Sequence, residues 1–205
     1  MSDTVGPEDV RAAAAAFRET LSSAVDLDWS VRAGGLDWTC RQTLEHIPNT
    51  QISYASQLAT AATDRIPRAQ GGQDQLTVAE LILSVEVNAS ILEHVIRAAP
   101  QGVRAYHAAG MADASGFAAM GCDEILIHTA DIATGFGIEF KPPADLCGRV
   151  LARLFPWART DVGDWDGLRW ANGRLALPEI GAQDENWRWH CAPLSEWDGQ
   201  VARRA

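Results

Sequence analysis

Residues 115–137 read SGFAAMGCDEILIHTADIATGFG, and the fold turns on this stretch. Its pattern predicts a helix over about 115–134, closed by Gly135 and Gly137, since glycine at a helix end readily takes the left-handed conformation. Glu124 and His128 lie four apart, so their side chains project from one face of that helix. Apolar residues, among them Ile125, Leu126 and Ile127, surround the polar pair.

Four further helices flank this one in the pattern. Pro7 suits a first helical position, and Glu8 and Asp9 favour the positive helix start. Val10, Ala14, Phe17 and Leu21 share a face, which predicts a helix over about 7–25 before Gly34-Gly35 breaks the chain. Thr39 is an N-cap for a second helix over about 39–63, with Leu44, Ile47, Ile52, Ala55 and Leu58 as apolar positions. Pro48 removes a backbone donor inside it and is expected to kink the helix just after His46. Residues 65–75, with Pro67, Gly71 and Gly72, read as a loop. Thr77 and Glu80 make a capping box that opens a third helix, whose face runs from Val78 to Ile96 and stops by Pro100. The next loop runs through Gly110. Pro142-Pro143 starts a fifth helix, carrying Leu146, Val150, Leu151 and Leu154 to near Pro156.

Beyond Pro156 the character changes, and six of the eight tryptophans fall there, too aromatic a tail for a disordered one. Asn172-Gly173 stands between two short alternating runs and predicts a β-hairpin. Alternation through Trp187, Arg188, Trp189, His190 and Cys191 predicts a strand. The tail is therefore expected to be a small β-containing appendage packed on the helices.

Glu124 and His128 can ligate one divalent ion together, and helix bundles build metal sites this way. The same spacing also suits an ordinary surface hydrogen bond. His46, on another helix, is the natural third ligand, or a satisfied core histidine. Two histidines and one glutamate would leave an open position, the arrangement of a catalytic site. Asp131, three residues past His128, can orient that imidazole or cap the helix. In the tail, His190 is a candidate acid/base group or a packed surface histidine. Arg169, Arg174 and Arg188 are candidates to grip a substrate carboxylate. His94 and His107 have no partner at metal-ligand spacing.

A length of 205 residues suffices for one well-buried core with an appendage. The formal net charge of −10 and the absence of a basic stripe argue against nucleic acid as a partner. No apolar run is long enough to span a bilayer. The acidic opening (Asp3, Glu8, Asp9) lacks the basic and apolar regions of a signal peptide, so a cytoplasmic location is expected. Cys40, Cys122, Cys147 and Cys191 form no CxxC pair and are expected to be buried, inert thiols. HExxH, GxSxG, Walker A and GxGxxG motifs are absent, which excludes the usual zincins, α/β hydrolases, P-loop enzymes and Rossmann dehydrogenases.

Three blocks carry a family resemblance: Trp38-Thr39 followed by Leu44-Glu45-His46; Gly116-Phe117-Ala118-Ala119-Met120 leading into Glu124, His128 and Asp131; and the turn Gly135-Phe136-Gly137. Together they resemble the DinB-like metalloprotein superfamily, on the branch of mycothiol-dependent maleylpyruvate isomerase and the bacillithiol transferases. The resemblance spans about the first three-quarters of the chain. It implies a four-helix bundle; with the extra helix and the tail read above, a mainly α protein is expected, the bundle over 1–157 and the appendage over 158–205. It implies a metal ion, zinc foremost and nickel next, held by His46, Glu124 and His128. Dimerisation through the bundle is a further expectation. The tail does not match the C-terminal domain of maleylpyruvate isomerase, so that enzyme's substrate does not carry over.

The function expected is S-transfer from a low-molecular-weight thiol, mycothiol, to an electrophilic small molecule, or its isomerisation. His190, Arg188 and Asp131 are the candidate catalytic groups beside the metal. Two alternatives stand: a thiol-independent hydrolase, dehydratase or cyclase of a secondary metabolite, and a non-catalytic metal-binding stress protein.

Overall fold

The computed structural model describes residues 4–67, 75–159, 161–184 and 186–203. Asp3, Gly71 and Gly72 lie outside the described residues. Among the described residues, six α-helices and one two-stranded sheet follow one another: α1 (Pro7–Leu21), α2 (Cys40–Ala59), α3 (Val78–Ala98), β1 (Ala105–His107), β2 (Gly110–Ala112), α4 (Ala114–Phe136), α5 (Ala144–Leu154) and α6 (Asp164–Ala171). The protein is mainly helical. No helix among the described residues is long and apolar enough to cross a membrane.

Each long helix begins where side chains satisfy its free N–H groups. Thr39 accepts from the Gln42 amide and Gln42 reaches back to Thr39, and Thr77 and Glu80 do the same for α3. Pro7 occupies the first turn of α1. Asp113 caps α4 by accepting from Gly116 N at 2.7 Å. Helix α4 ends in a Schellman motif, with Gly137 at φ +68°, Ile138 N donating to Ala133 O and Gly137 N donating to Thr134 O.

Two boundaries differ from the periodic pattern. Helix α1 tightens into a 3-10 turn over Ser22–Ala24. Helix α2 stops at Ala59 because Ala61 turns left-handed (φ +46°) and Ala62 N closes back on Gln57 O. Pro48, where a kink is expected, does not end the helix. Helix α2 runs through the proline as one element, the residue is buried, and its carbonyl accepts from Asn88 Nδ2 of α3 at 3.0 Å.

Helices α1 and α2 each pack on both α3 and α4, and α5 packs on α4 and α6. Phe17, Leu44, Ile47, Leu81, Leu92, Phe117, Met120, Ile125, Leu126 and Ile132 are fully buried between them. Helix α4 is buried around most of its circumference, so it is the element the others cover.

The β-structure is not where the tail pattern put it. The one ladder among the described residues is the antiparallel pair Ala105↔Ala112, Tyr106↔Met111 and His107↔Gly110, within the stretch the pattern left as loop. Its Tyr106 N docks on Ala62 O at 2.7 Å, beyond the end of α2. Leu168–Ala171, expected to be a hairpin strand, forms the end of helix α6. Asn172-Gly173 closes that helix by a second Schellman motif: Gly173 has φ +70°, Gly173 N donates to Trp170 O and Arg174 N to Arg169 O. An Asn-Gly pair supplies the positive φ that both a tight hairpin and a helix stop require, and the packing of Leu168 and Trp170 selects the helix. Residues 187–191, expected to be a strand, form none; among the described residues Trp187 makes an isolated bridge with Arg203. The tail docks by side chains. Arg153, 3% exposed, donates to Asp113 Oδ1, His190 O and Cys191 O at 2.7, 3.1 and 3.1 Å.

Candidate metal centre

His46 sits in the second turn of α2, and Glu124 and His128 one turn apart on α4. The packing of these two helices brings the three side chains together. Glu124 Oε2 lies 3.2 Å from His46 Nε2 and 3.2 Å from His128 Nε2, and the three ligand atoms all fall within 4.8 Å of one another. Ligand atoms bound about 2.1 Å from one ion at tetrahedral angles stand roughly 3.4 Å apart. Two imidazole nitrogens and a carboxylate oxygen at this separation can hold a metal ion.

The surrounding side chains fix the three in that orientation. Tyr54 OH donates to Glu124 Oε1 at 2.9 Å, leaving Oε2 for the cluster. His128 Nδ1 meets Asp131 Oδ2 at 3.0 Å, so the other ring nitrogen, Nε2, faces Glu124. Asp131 is itself gripped by Arg174, whose Nε and Nη2 reach its two oxygens at 3.0 and 3.2 Å. The Trp38 ring lies over both imidazoles, at centroid distances of 5.1 Å from His46 and 6.3 Å from His128. Gly135 lets the loop carrying Trp38 cross α4, because a Cβ there would stand 2.4 Å from Arg32 O. The side chains of Glu124 and His128 are 10% and 12% exposed, whereas that of His46 is 33% exposed and marks the open side.

Charge is balanced across the cluster even without metal. Burial would raise the Glu124 carboxyl, but hydrogen bonds from His128 and His46 overcome it and hold the pKa well below the usual carboxylate range. Burial would lower His128, but Asp131 and Glu124 outweigh it and lift its pKa to about 9. A divalent cation would replace that proton with a larger positive charge.

No protein-family model, no curated protein and no solved structure matches the chain. The functional reading therefore rests on this geometry and on the motif resemblance.

The other candidates fall into two groups. Asp131 sits against His128, as its spacing suggested. His190 does not join the cluster: its Nε2 lies 3.1 Å from Pro193 O and its backbone is tied to Leu154 and Arg153. Arg174 is engaged with Asp131, and Arg169 pairs with Asp166 over the Trp165 ring, so both guanidiniums already hold acids of the chain. Among the described residues, the Arg188 side chain donates to a backbone carbonyl, Ala108 O at 2.7 Å, and to no acid. His94 bonds Ser90 O on the exposed side of α3. His107 packs between Tyr54 and Trp189, at centroid distances of 5.5 Å from each.

Two contributors escaped the sequence reading. Tyr54 lies eight residues beyond His46, two turns along the same face of α2, and that spacing could have shown it. The Arg174–Asp131 contact joins residues 43 apart, and nothing local signals it. All four cysteines are buried and unpaired. Burial pushes Cys40 and Cys191 up to about 11 and Cys147 up to about 12, and Cys122 well above its ordinary value. None of them is a thiolate at neutral pH.

Proposed function

We propose that the chain is a DinB-like four-helix bundle, formed by α1–α4, that acts in the cytoplasm as a metal-dependent thiol S-transferase or isomerase. Zinc is the proposed ion and mycothiol the proposed thiol. The observation that carries the reading is the convergence of His46, Glu124 and His128, whose ligand atoms lie within 4.8 Å of one another, with an open side at His46. A divalent ion held by three protein ligands supplies an open position at which a thiol sulfur is deprotonated at neutral pH.

The chain's own residues set up that chemistry. Asp131 and Arg174 keep His128 Nε2 toward the centre, and Tyr54 holds Glu124 so that one carboxylate oxygen faces it. Trp38 shields the two imidazoles from above and leaves His46 at the entrance. The buried, protonated cysteines offer no competing nucleophile, so the thiol must come from outside.

Turnover of monochlorobimane with mycothiol tests this. The thiolate sulfur displaces chloride, forming the carbon–sulfur bond as the carbon–chlorine bond breaks and the thiol proton passes to solvent. Zinc-loaded protein should accelerate the reaction, and His46→Ala and His128→Ala should abolish the acceleration. Full activity in both variants would overturn the mechanism. Turnover of other electrophiles in thiol-free buffer would assign the site to metal-assisted hydrolysis or dehydration instead.

A further inference from the structure

Arginine is almost always paired in this acidic protein. Among the described residues, every arginine except Arg65 and Arg188 has a carboxylate at salt-bridge distance. Arg65 is exposed, whereas Arg188 is half-buried. Its Nη2 is pinned to Ala108 O at the turn of the β1–β2 hairpin, which fixes the guanidinium without neutralising it. A cationic group tethered in a protein of net charge −10, with no carboxylate at salt-bridge distance among the described residues, is positioned for an anion from outside.

The space beside it defines the rest of that anion. A cleft of about 320 Å³ is lined by His107, Ala108, Ala109, Trp187, Arg188 and Trp189. That is room for one small ring-bearing molecule. Its indole walls are anchored: Trp187 packs on Phe155 at 5.7 Å, and Trp189 Nε1 donates to buried Asp123 at 3.0 Å. His107 Nδ1 accepts from Ala109 N at 3.1 Å, so the ring proton resides on Nε2, which has no partner among the described residues. Burial and the Arg188 charge keep His107 neutral, with a pKa of about 4. Tyr54 stands between the cleft and the metal centre: its ring meets His107 at 5.5 Å and its hydroxyl donates to Glu124 Oε1 at 2.9 Å.

We propose that this cleft binds an aryl carboxylate, with its ring against Trp187 and Trp189 and its carboxylate on the Arg188 guanidinium and the His107 Nε2–H. Taking that ligand as the electrophile of the reaction rests on the proposed function. The binding itself does not.

Isothermal titration of the zinc-loaded protein in the absence of thiol tests the binding with three probes. Cinnamate carries ring and charge, cinnamyl alcohol the ring alone, and fumarate the charge without a ring. Cinnamate should bind more than about tenfold tighter than either, because each comparison removes one charge-assisted or stacking contact. Arg188→Gln should erase the preference for cinnamate over the alcohol, and Arg188→Lys should restore part of it. Equal binding of cinnamate and alcohol by the unmutated protein, equal binding of fumarate, or no heat with cinnamate would each overturn the proposal without reliance on any variant. Binding as expected with no thiol-dependent turnover would sink the proposed reaction and leave the cleft standing. Thiol-dependent turnover without cinnamate selectivity would do the reverse.

Discussion

His46, Glu124 and His128 stand on regular helix, whereas the tail from Asn172 onward reaches the same part of the molecule on irregular backbone. In the first region, backbone hydrogen bonds within α2 and α4 set where each side chain points, and helix packing brings the donors together. In the second, single long-range contacts do that work: Arg153 on the carbonyls of His190 and Cys191, Trp189 and Asn172 on Asp123, and Arg174 on Asp131. Asp123 precedes Glu124 and Asp131 follows His128, so the tail grips α4 beside both of its ligands. Regular structure distributes the work of positioning over many weak bonds, and irregular structure concentrates it in a few buried ones. Loss of one tail contact should therefore cost more stability than loss of one metal ligand in metal-free protein.

The strongest way to break that contrast is Arg153→Ala. It leaves Asp113 and two tail carbonyls without their buried partner and should cost about 3 kcal/mol in urea unfolding. His46→Ala in metal-free protein should cost well under half of that. Equal losses would mean that the tail is held by something other than Arg153.

Asp131→Asn probes the point where the two regions meet. It weakens the support of His128 and should lower zinc affinity about 10- to 100-fold in competition with a chelating dye. Arg174→Ala, one contact further out, should do the same more weakly. An unchanged affinity in both variants would show that the tail does not reach the metal centre energetically.

Gly173→Ala places a Cβ at φ +70° and should cost about 1 kcal/mol by strain at the end of α6. It should also loosen Arg174, the next residue, so a small loss of zinc affinity should accompany the loss of stability.

The finest test concerns one proton. The His128 pKa rises from 6.5 to about 9 in metal-free protein, so its contribution to stability is complete below pH 6.5 and is lost as the pH climbs through 9. Zinc-loaded protein should lack that decline, and binding near pH 8 should release close to one proton per ion. A metal-free stability curve flat across this range would refute the Asp131–His128–Glu124 linkage.

The same contrast governs what could be read from sequence. Thr39, Thr77, Pro7 and Gly137 mark helix ends by local rules, and the four-residue spacing of Glu124 and His128 places both on one face. Those features survive in the structure because helix formation depends on near neighbours. His46 was reachable mainly through motif resemblance, since a single histidine on a second helix carries no geometric signature. Asn172-Gly173 misled because a left-handed glycine serves two structures, and the packing of Trp170 decides between them. The Ala105–Ala112 hairpin gave no warning, as its two-residue turn, Ala108-Ala109, contains neither glycine nor asparagine. Arg188 was noticed, but its significance lies in the acid it lacks, which only the folded chain reveals.

Metal content is the most direct test of the account. Protein purified, incubated with zinc and freed of excess should carry one ion per chain by elemental analysis, while His46→Ala and His128→Ala carry far less under the same wash. Unmutated protein that retains no metal, or variants that retain as much as it does, would contradict the assignment of His46, Glu124 and His128 as a metal centre.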